Sequence, residues 1–565
     1  MLKLNAEKTS AQLIWLGAPF ATLFLLTGPV SDPVNETKLV VAGALGFALF
    51  GIFLGFGRKL VWKDSKWPVI TALLFVFASA NACLNSDSPL VQNIFGSYGR
   101  NTGFVAYLAF VFIFIGALML RRENSFEKLI QGLLFAGIVN LIYCAWVLAF
   151  GDFIGWTNPY GNILGLFGNP DFISAFLGIF ASCLLAVILK SGEKILYRVI
   201  GGVIFLIAVF EIKKSHAIQG LVVTVAGVSI VGFFYLRSKI ESKLFSGVYV
   251  LLVTLIGILA VMGTLQKGPF SFVYKRSVSL RGTYWRTGIK MGLDHPFSGV
   301  GMDSYGDWYR RARPPIALID TPGLNTTSNA AHNVVIDIFA FGGWPLLLTY
   351  LALATFAVLA IFKVIKRSRS YDAIFVAMTT SWVCYELQSI ISINQIGLAI
   401  WGWLLAGAII AYELATRESS VNTVTSVAKG RNSKGASEAI SPALLAGIGG
   451  LLGILVAAPP MNADAKFKAG FDSKSVVAVE KSLEPSFYNF SDSYRYGTAV
   501  QGLASSNLPD LALKYAREAV KFNPDYFAAW QQLYTLQNST SDEKKFAVEN
   551  MKRLDPLNPD VTKLQ

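Results

Sequence analysis

About thirteen runs of mostly apolar residues follow one another along this chain, separated for the first nine only by short polar breaks. A membrane-spanning helix needs roughly 20 apolar residues. The runs fall near 11–29, 39–57, 67–84, 103–120, 129–150, 171–189, 197–212, 216–236, 245–263, 343–362, 372–393, 396–415 and 441–458. With 53% hydrophobic and only 15% charged residues over 565 positions, a soluble fold would leave far more apolar surface in water than globular proteins tolerate. The sequence therefore predicts an all-α fold: a polytopic transmembrane bundle of about 12–13 spans, a long loop and a helical C-terminal domain.

Lys and Arg orient the bundle. They cluster at Lys3/Lys8, Arg58–Lys66, Arg121–Lys128, Lys190–Arg198, Arg237–Lys243, Lys363–Arg369 and Arg417–Lys434. Each cluster lies at the N-terminus or after an even-numbered run, so all share one side, which the positive-inside rule makes the cytoplasm. Topology thus accounts for most of the net charge of +14, and the basic balance calls for no nucleic-acid partner. The first run lacks a small-residue cleavage site and reads as an anchor, not a removed signal peptide. Cys83, Cys144, Cys183 and Cys384 all sit in apolar runs and read as buried thiols, with neither a disulfide framework nor a zinc spacing.

This count divides the chain into a transmembrane part at 1–416, containing an extracytoplasmic loop at 264–342, then a cytoplasmic linker at 417–440, a last span at 441–458 and an extracytoplasmic tail at 462–565. A loop that long is usually functional. The tail carries helical periodicity in LALKYAREAV and FAAWQQLYTL, with Asn523-Pro524 and Leu554-Asp555-Pro556 roughly one 34-residue unit apart. That pattern is similar to tetratricopeptide repeats.

Candidate chemistry concentrates at the predicted outer helix ends. His332, in Ala330-Ala331-His332-Asn333, precedes VVIDIFAF and a Gly342-Gly343 break, which predicts a short interfacial helix before the tenth span. An imidazole there can accept a proton from a sugar hydroxyl; a capping histidine would read the same way. Arg281 and Arg286 flank Tyr284-Trp285, with Arg276 upstream. Guanidinium groups bind phosphate bidentately and stay charged, although ion pairs or lipid headgroups also explain single arginines. Arg100 stands in a Gly-flanked turn before the fourth span, as a phosphate ligand or an interface anchor. Lys213, Lys214 and His216 break the charge pattern by falling on the outer side; a rule-breaking cation signals a ligand, unless the seventh run is no span. Asp171 reads as a helix cap, and Glu386 and Gln388 as a buried hydrogen-bond network. No Walker loop, Gly-rich dinucleotide turn or H-E-x-x-H is present in the sequence, and the first outer loop, with only Asp32 and Glu36, offers no paired acidic metal site.

GNPDFISAFL at 168–177, RGTYW at 281–285 followed by HPFSGVGMDSY at 295–305, and AHNVVIDIFAFGGW at 331–344 together resemble the O-antigen ligase and polymerase superfamily, in the subgroup with a tetratricopeptide-like tail. The resemblance implies transfer of a glycan from undecaprenyl pyrophosphate to a lipid, glycan or protein hydroxyl at the outer face of a bacterial cytoplasmic membrane, with no metal or other cofactor. It implies His332 as base and Arg281 as pyrophosphate ligand; Arg100, Arg276 and Arg286 stand beside them as substrate-binding candidates on their own chemistry and position. A second family arginine commonly follows a serine at the outer start of a span. This chain departs from that pattern with Lys213-Lys214-Ser215-His216, leaving Lys214 or His216 to take the role. Membrane lipids and a protein partner of the tail complete the expected contacts. A repeat-unit polymerase, a protein O-oligosaccharyltransferase, a transporter and a membrane scaffold are the competing readings.

Overall fold

A computed structural model of the protein describes residues 2–264, 266–271, 276–320, 323–422, 441–486 and 488–564. They form α1 (Leu2–Leu23), α2 (Asn35–Leu60), α3 (Trp62–Leu84), the short α4 (Leu90–Phe95), α5 (Phe104–Ala117), α6 (Glu123–Phe150), α7 (Pro170–Ile188), α8 (Ile195–Lys214), α9 (Ile218–Lys239) and α10 (Lys243–Thr264). Next come α11 (Arg276–Asp294), α12 (Tyr305–Ala312), α13 (Ala317–Asp320), α14 (Val334–Arg367), α15 (Ala373–Ser389) and α16 (Ile396–Asn422). The chain ends with α17 (Pro442–Ala457), α18 (Pro459–Asp472), α19 (Val476–Leu483), α20 (Ser493–Ser505), α21 (Pro509–Phe522), α22 (Phe527–Thr535), α23 (Ser541–Leu554) and α24 (Pro559–Thr562).

Among the described residues nine helices are long and apolar enough to cross a membrane, and the pair α17–α18, bent by 45°, makes a tenth. The other three apolar runs are α1, the 14-residue α5 and the 17-residue α15. The protein is therefore a multi-pass helical membrane protein. The short seventh run is a full 20-residue helix, α8. Most of the expected linker lies outside the described residues; its first part continues α16 to Asn422.

Small residues set the helix packing, as expected where lipid offers no hydrophobic drive to association. α2 and α17 run antiparallel: a Cβ on Gly43 would meet Gly453 O at 2.9 Å, and one on Gly51 would meet Leu445 O at 2.4 Å. α7 and α9 run parallel, with Gly220 against Ser174 and Gly227 against Ser182. This alternation gathers the described residues of 24–34, 85–103, 151–169, 215–217, 266–333, 390–395 and the segment from 458 onward at one end, here called the loop face. The Lys/Arg clusters from Arg58 to Arg417 lie at the opposite end, where Arg237 reaches Ile365 O and Arg369 reaches Glu241 O.

Two findings sharpen the sequence reading. The long loop carries three helices, α11, α12 and α13. The Gly-Gly break is real: Gly343 (φ 61°, ψ −155°) interrupts α14. Backbone groups freed by a broken helix at membrane depth must find partners within the protein. Here Ala340 O accepts from Val300 N at 2.8 Å, Phe341 O from Gly301 N at 3.1 Å, and Pro296 O from Trp344 N at 2.8 Å. The HPFSGVG segment thus runs through the gap. Only glycine fits at 343, since a Cβ there would lie 2.3 Å from Pro296 O.

Candidate functional site

The first part of α14 and the amphipathic α11 pack in parallel through small residues. A Cβ on Gly288 would meet Ile336 at 2.7 Å, and one on Gly292 would meet Phe339 at 2.5 Å. Continuing that register by one turn places Tyr284 beside His332, and their rings stack 5.7 Å apart. One more turn brings Arg281 to the same end.

His332 takes its position from backbone rules. It has a left-handed φ of 55°, a conformation that histidine adopts more readily than bulkier residues. Asn333 then caps α14, its Oδ1 accepting from Val335 N at 3.0 Å and Ile336 N at 3.2 Å. Asp337 reaches back to accept from Ala331 N at 2.6 Å. The cap is therefore Asn333, and the imidazole is left with no hydrogen bond among the described residues. Burial, and then the charges of Arg281 and Arg100, push its pKa down to about 4.

Arg281, partly buried, also has no hydrogen bond or ion pair among the described residues. Burial lowers its pKa, opposed by the nearby Asp171 and Tyr284, but a guanidinium stays charged. Asp171 lies in the first turn of α7, whose N-cap is Asn169, accepting from Asp171 N at 2.8 Å. The expected capping by Asp171 is thus carried out by Asn169, while the Asp171 charge acts on Arg281.

Arg100 is buried and structurally committed. Its Nη1 donates to Asn329 O and Oδ1, both at 2.9 Å, and its Nε lies 3.7 Å from Asp303 Oδ1. The other Asp303 oxygen accepts from Ser97 N at 2.9 Å and Thr102 N at 3.3 Å. Gly96 (φ 86°) makes this wrap possible, because a Cβ there would sit 2.7 Å from Asp303 Oδ2. Arg100 therefore contributes its charge to the site while holding the turn before α5 against the residues preceding His332.

Lys213, Lys214 and His216 are exposed at the α8–α9 corner. Because α7 and α9 are parallel with Ser174 opposite Gly220, this corner stands level with Asp171 on the loop face, as the thirteen-run count expects. Lys214 leans over the Phe210 ring at 5.5 Å. Arg286 is exposed one turn along α11 from Thr283. The side chain of Arg276 lies outside the described residues. Glu386 accepts from Tyr350 OH at 3.4 Å and Gln388 from Gln219 at 3.1 Å, the buried polar contacts expected of them.

Sequence reasoning missed Asp303 and Asn329, which act on Arg100 from more than 200 residues away. It also missed Arg310, Arg311 and Arg313, although three arginines in DWYRRARPP are a visible signal. Four of the left-handed non-glycine residues, Asn101, His216, Asp303 and His332, sit at these loop-face corners, where backbone strain commonly marks function. Among the described residues no three His, Cys, Asp or Glu side chains are grouped to hold a metal ion.

A protein-family profile described as O-antigen ligase matches residues 214–351. The matched stretch runs from Lys214 through Arg281 and His332 past the break in α14, and it supports the superfamily that the motifs resemble. No curated protein matches the chain.

Removing the carboxylate in Asp303→Ala leaves Arg100 buried without its counter-charge. A broken buried pair typically costs about 3–5 kcal/mol, so the variant is expected to unfold at a clearly lower temperature in detergent. An unchanged midpoint would show that Asp303 does not hold this corner.

Proposed function

We propose that this protein transfers a glycan from undecaprenyl pyrophosphate to an acceptor hydroxyl on the outer face of a bacterial cytoplasmic membrane, in cell-surface polysaccharide assembly. The observation that carries the reading is the pairing, inside the stretch similar to O-antigen ligases, of an arginine with no hydrogen bond or ion pair and a half-buried imidazole with no hydrogen bond, among the described residues, at one end of the bundle. The basic clusters at the opposite end make that end cytoplasmic under the positive-inside rule. The loop face is then outside, with the N-terminus inside and the tail outside, its paired helices forming tetratricopeptide-like units.

Arg281 holds the pyrophosphate, with the Arg100 charge behind it and Lys214 or His216 approaching from the α8–α9 corner. His332 Nδ1 or Nε2 takes the proton of the acceptor hydroxyl as its oxygen bonds the anomeric carbon. The bond from that carbon to the pyrophosphate oxygen breaks, and undecaprenyl pyrophosphate leaves with the electron pair, stabilised by the cations without a metal. A single displacement inverts the anomeric configuration.

The electrostatics give this scheme an order of events. In the free site, burial and two arginines keep His332 neutral but weakly basic. An arriving pyrophosphate offsets the arginine charges, so the base strengthens only when the donor is in place.

Two experiments follow. With a lipid-linked glycan pool and candidate acceptors, folded His332→Ala is expected to release undecaprenyl pyrophosphate about 10²–10⁴-fold more slowly than the unmutated protein, and Arg281→Ala to lose comparable activity. Equal release from all three would reject the assignment. The pH dependence provides the second test. Since the base form is the neutral one and the folded pKa is about 4 against an ordinary 6.5, kcat/KM should hold down to about pH 5 and fall towards pH 4. The limb in kcat should lie higher, and Arg281→Ala should raise the limb in kcat/KM. A limb in kcat/KM at 6.5, unmoved by Arg281→Ala, would show that His332 is not the buried base.

A further inference from the structure

The segment after α17 is built into the loop face at several points. Asp464 accepts from the backbone N–H groups of Ser31 and Asp32. Arg495 lies 3.6 Å from Glu36. The rings of Tyr98 and Tyr494 stack at 3.8 Å, and those of Phe95 and Phe490 at 5.2 Å.

A further junction centres on Asp555, at the end of α23. Its carboxylate is inaccessible to solvent and accepts from Arg310 Nη1 at 2.7 Å and Arg313 Nη2 at 2.6 Å. The same two arginines turn their remaining donors onto the following loop: Arg313 Nη1 to Leu324 O at 2.8 Å and Arg310 Nη2 to Asn325 O at 3.3 Å. Asn558 adds a contact to Asn325 Oδ1 at 3.4 Å. One carboxylate in the tail thereby ties Arg310 and Arg313 to the segment that begins at Leu324 and Asn325.

That segment leads directly into the site. Four residues after Asn325, Asn329 receives Arg100; between them Ser328 Oγ donates to Ala330 O at 2.7 Å. Ala331 is held by Asp337, and His332 follows. Buried Arg313 and partly buried Arg310, without their carboxylate, would draw water into the interface and release the loop. We propose that Asp555 is a positioning residue: through Arg310 and Arg313 the tail holds the 324–332 segment so that Arg100 and His332 face the bundle. The tail is on this account a working part of the site, whatever partner it also binds. The activity readouts rest on the glycan-transfer reading; the conformational one does not.

The test uses the full chain carrying Ser328→Cys as a reporter, since Ser328 is buried and all four native cysteines are buried. Maleimide labelling at position 328 is expected to be slow, and at least tenfold faster when Asp555→Asn is added, with Asp555→Glu restoring part of the protection. Without the reporter, Asp555→Asn should lower kcat at least tenfold and move the acid limb of kcat/KM up towards 6.5 as His332 becomes hydrated, a shift that a merely stabilising contact would not cause. Unchanged labelling in folded Asp555→Asn overturns the proposal, and so does faster labelling with kcat and the pH limb unmoved. Should Asp555→Asn not fold, the same comparison is made with Arg313→Lys, which keeps the charge but loses the fork. Absence of transfer by the unmutated protein overturns the glycan-transfer reading alone, and labelling still decides whether Asp555 holds the loop.

Discussion

A single buried carboxylate, Asp303, is the point on which the loop face depends. It collects two backbone N–H groups from the turn before α5 and faces the Arg100 guanidinium, which in turn grips Asn329. A charge in this setting is tolerable only when its partners are fixed. The fixing is mutual: the turn, the 299–304 segment and the residues before His332 each hold the other two in place. The break in α14 serves the same end by another route, since the carbonyls it frees are taken up by Val300 and Gly301, a few residues before Asp303.

Membrane burial explains why so much of the fold could be read from sequence. Thirteen apolar runs and their one-sided basic clusters follow from the cost of placing polar groups in lipid, and that cost acts locally along the chain. The short run at 197–212 is a complete helix and the Gly-Gly break interrupts α14 as its residues predict, whereas the cap there is Asn333 and not His332. The helical content of the long loop was less legible because α11 is amphipathic and Arg-rich, so its apolar stripe is diluted by the groups that line the site. Still less legible were the partners of Arg100 and the clamp between Arg310, Arg313 and Asp555. Those pairs join positions more than 200 residues apart, and no local periodicity records them.

The chemistry of the site rests on contrast. Arg100 is held by Asn329 and Asp303, whereas Arg281 and His332 have no hydrogen bond among the described residues. A protein that buries cations this close to an imidazole accepts a weakened base in its empty state, a cost that makes sense if an anionic ligand restores it. The tail belongs to the same economy of charge, supplying the carboxylates that the loop arginines lack.

The division of labour between cation and base is tested most directly by equilibrium binding of undecaprenyl pyrophosphate to the folded unmutated, Arg281→Ala and His332→Ala proteins in nanodiscs. The account predicts that Arg281→Ala weakens binding at least tenfold while His332→Ala binds as the unmutated protein does. Equal binding by Arg281→Ala, or a loss confined to His332→Ala, would contradict it.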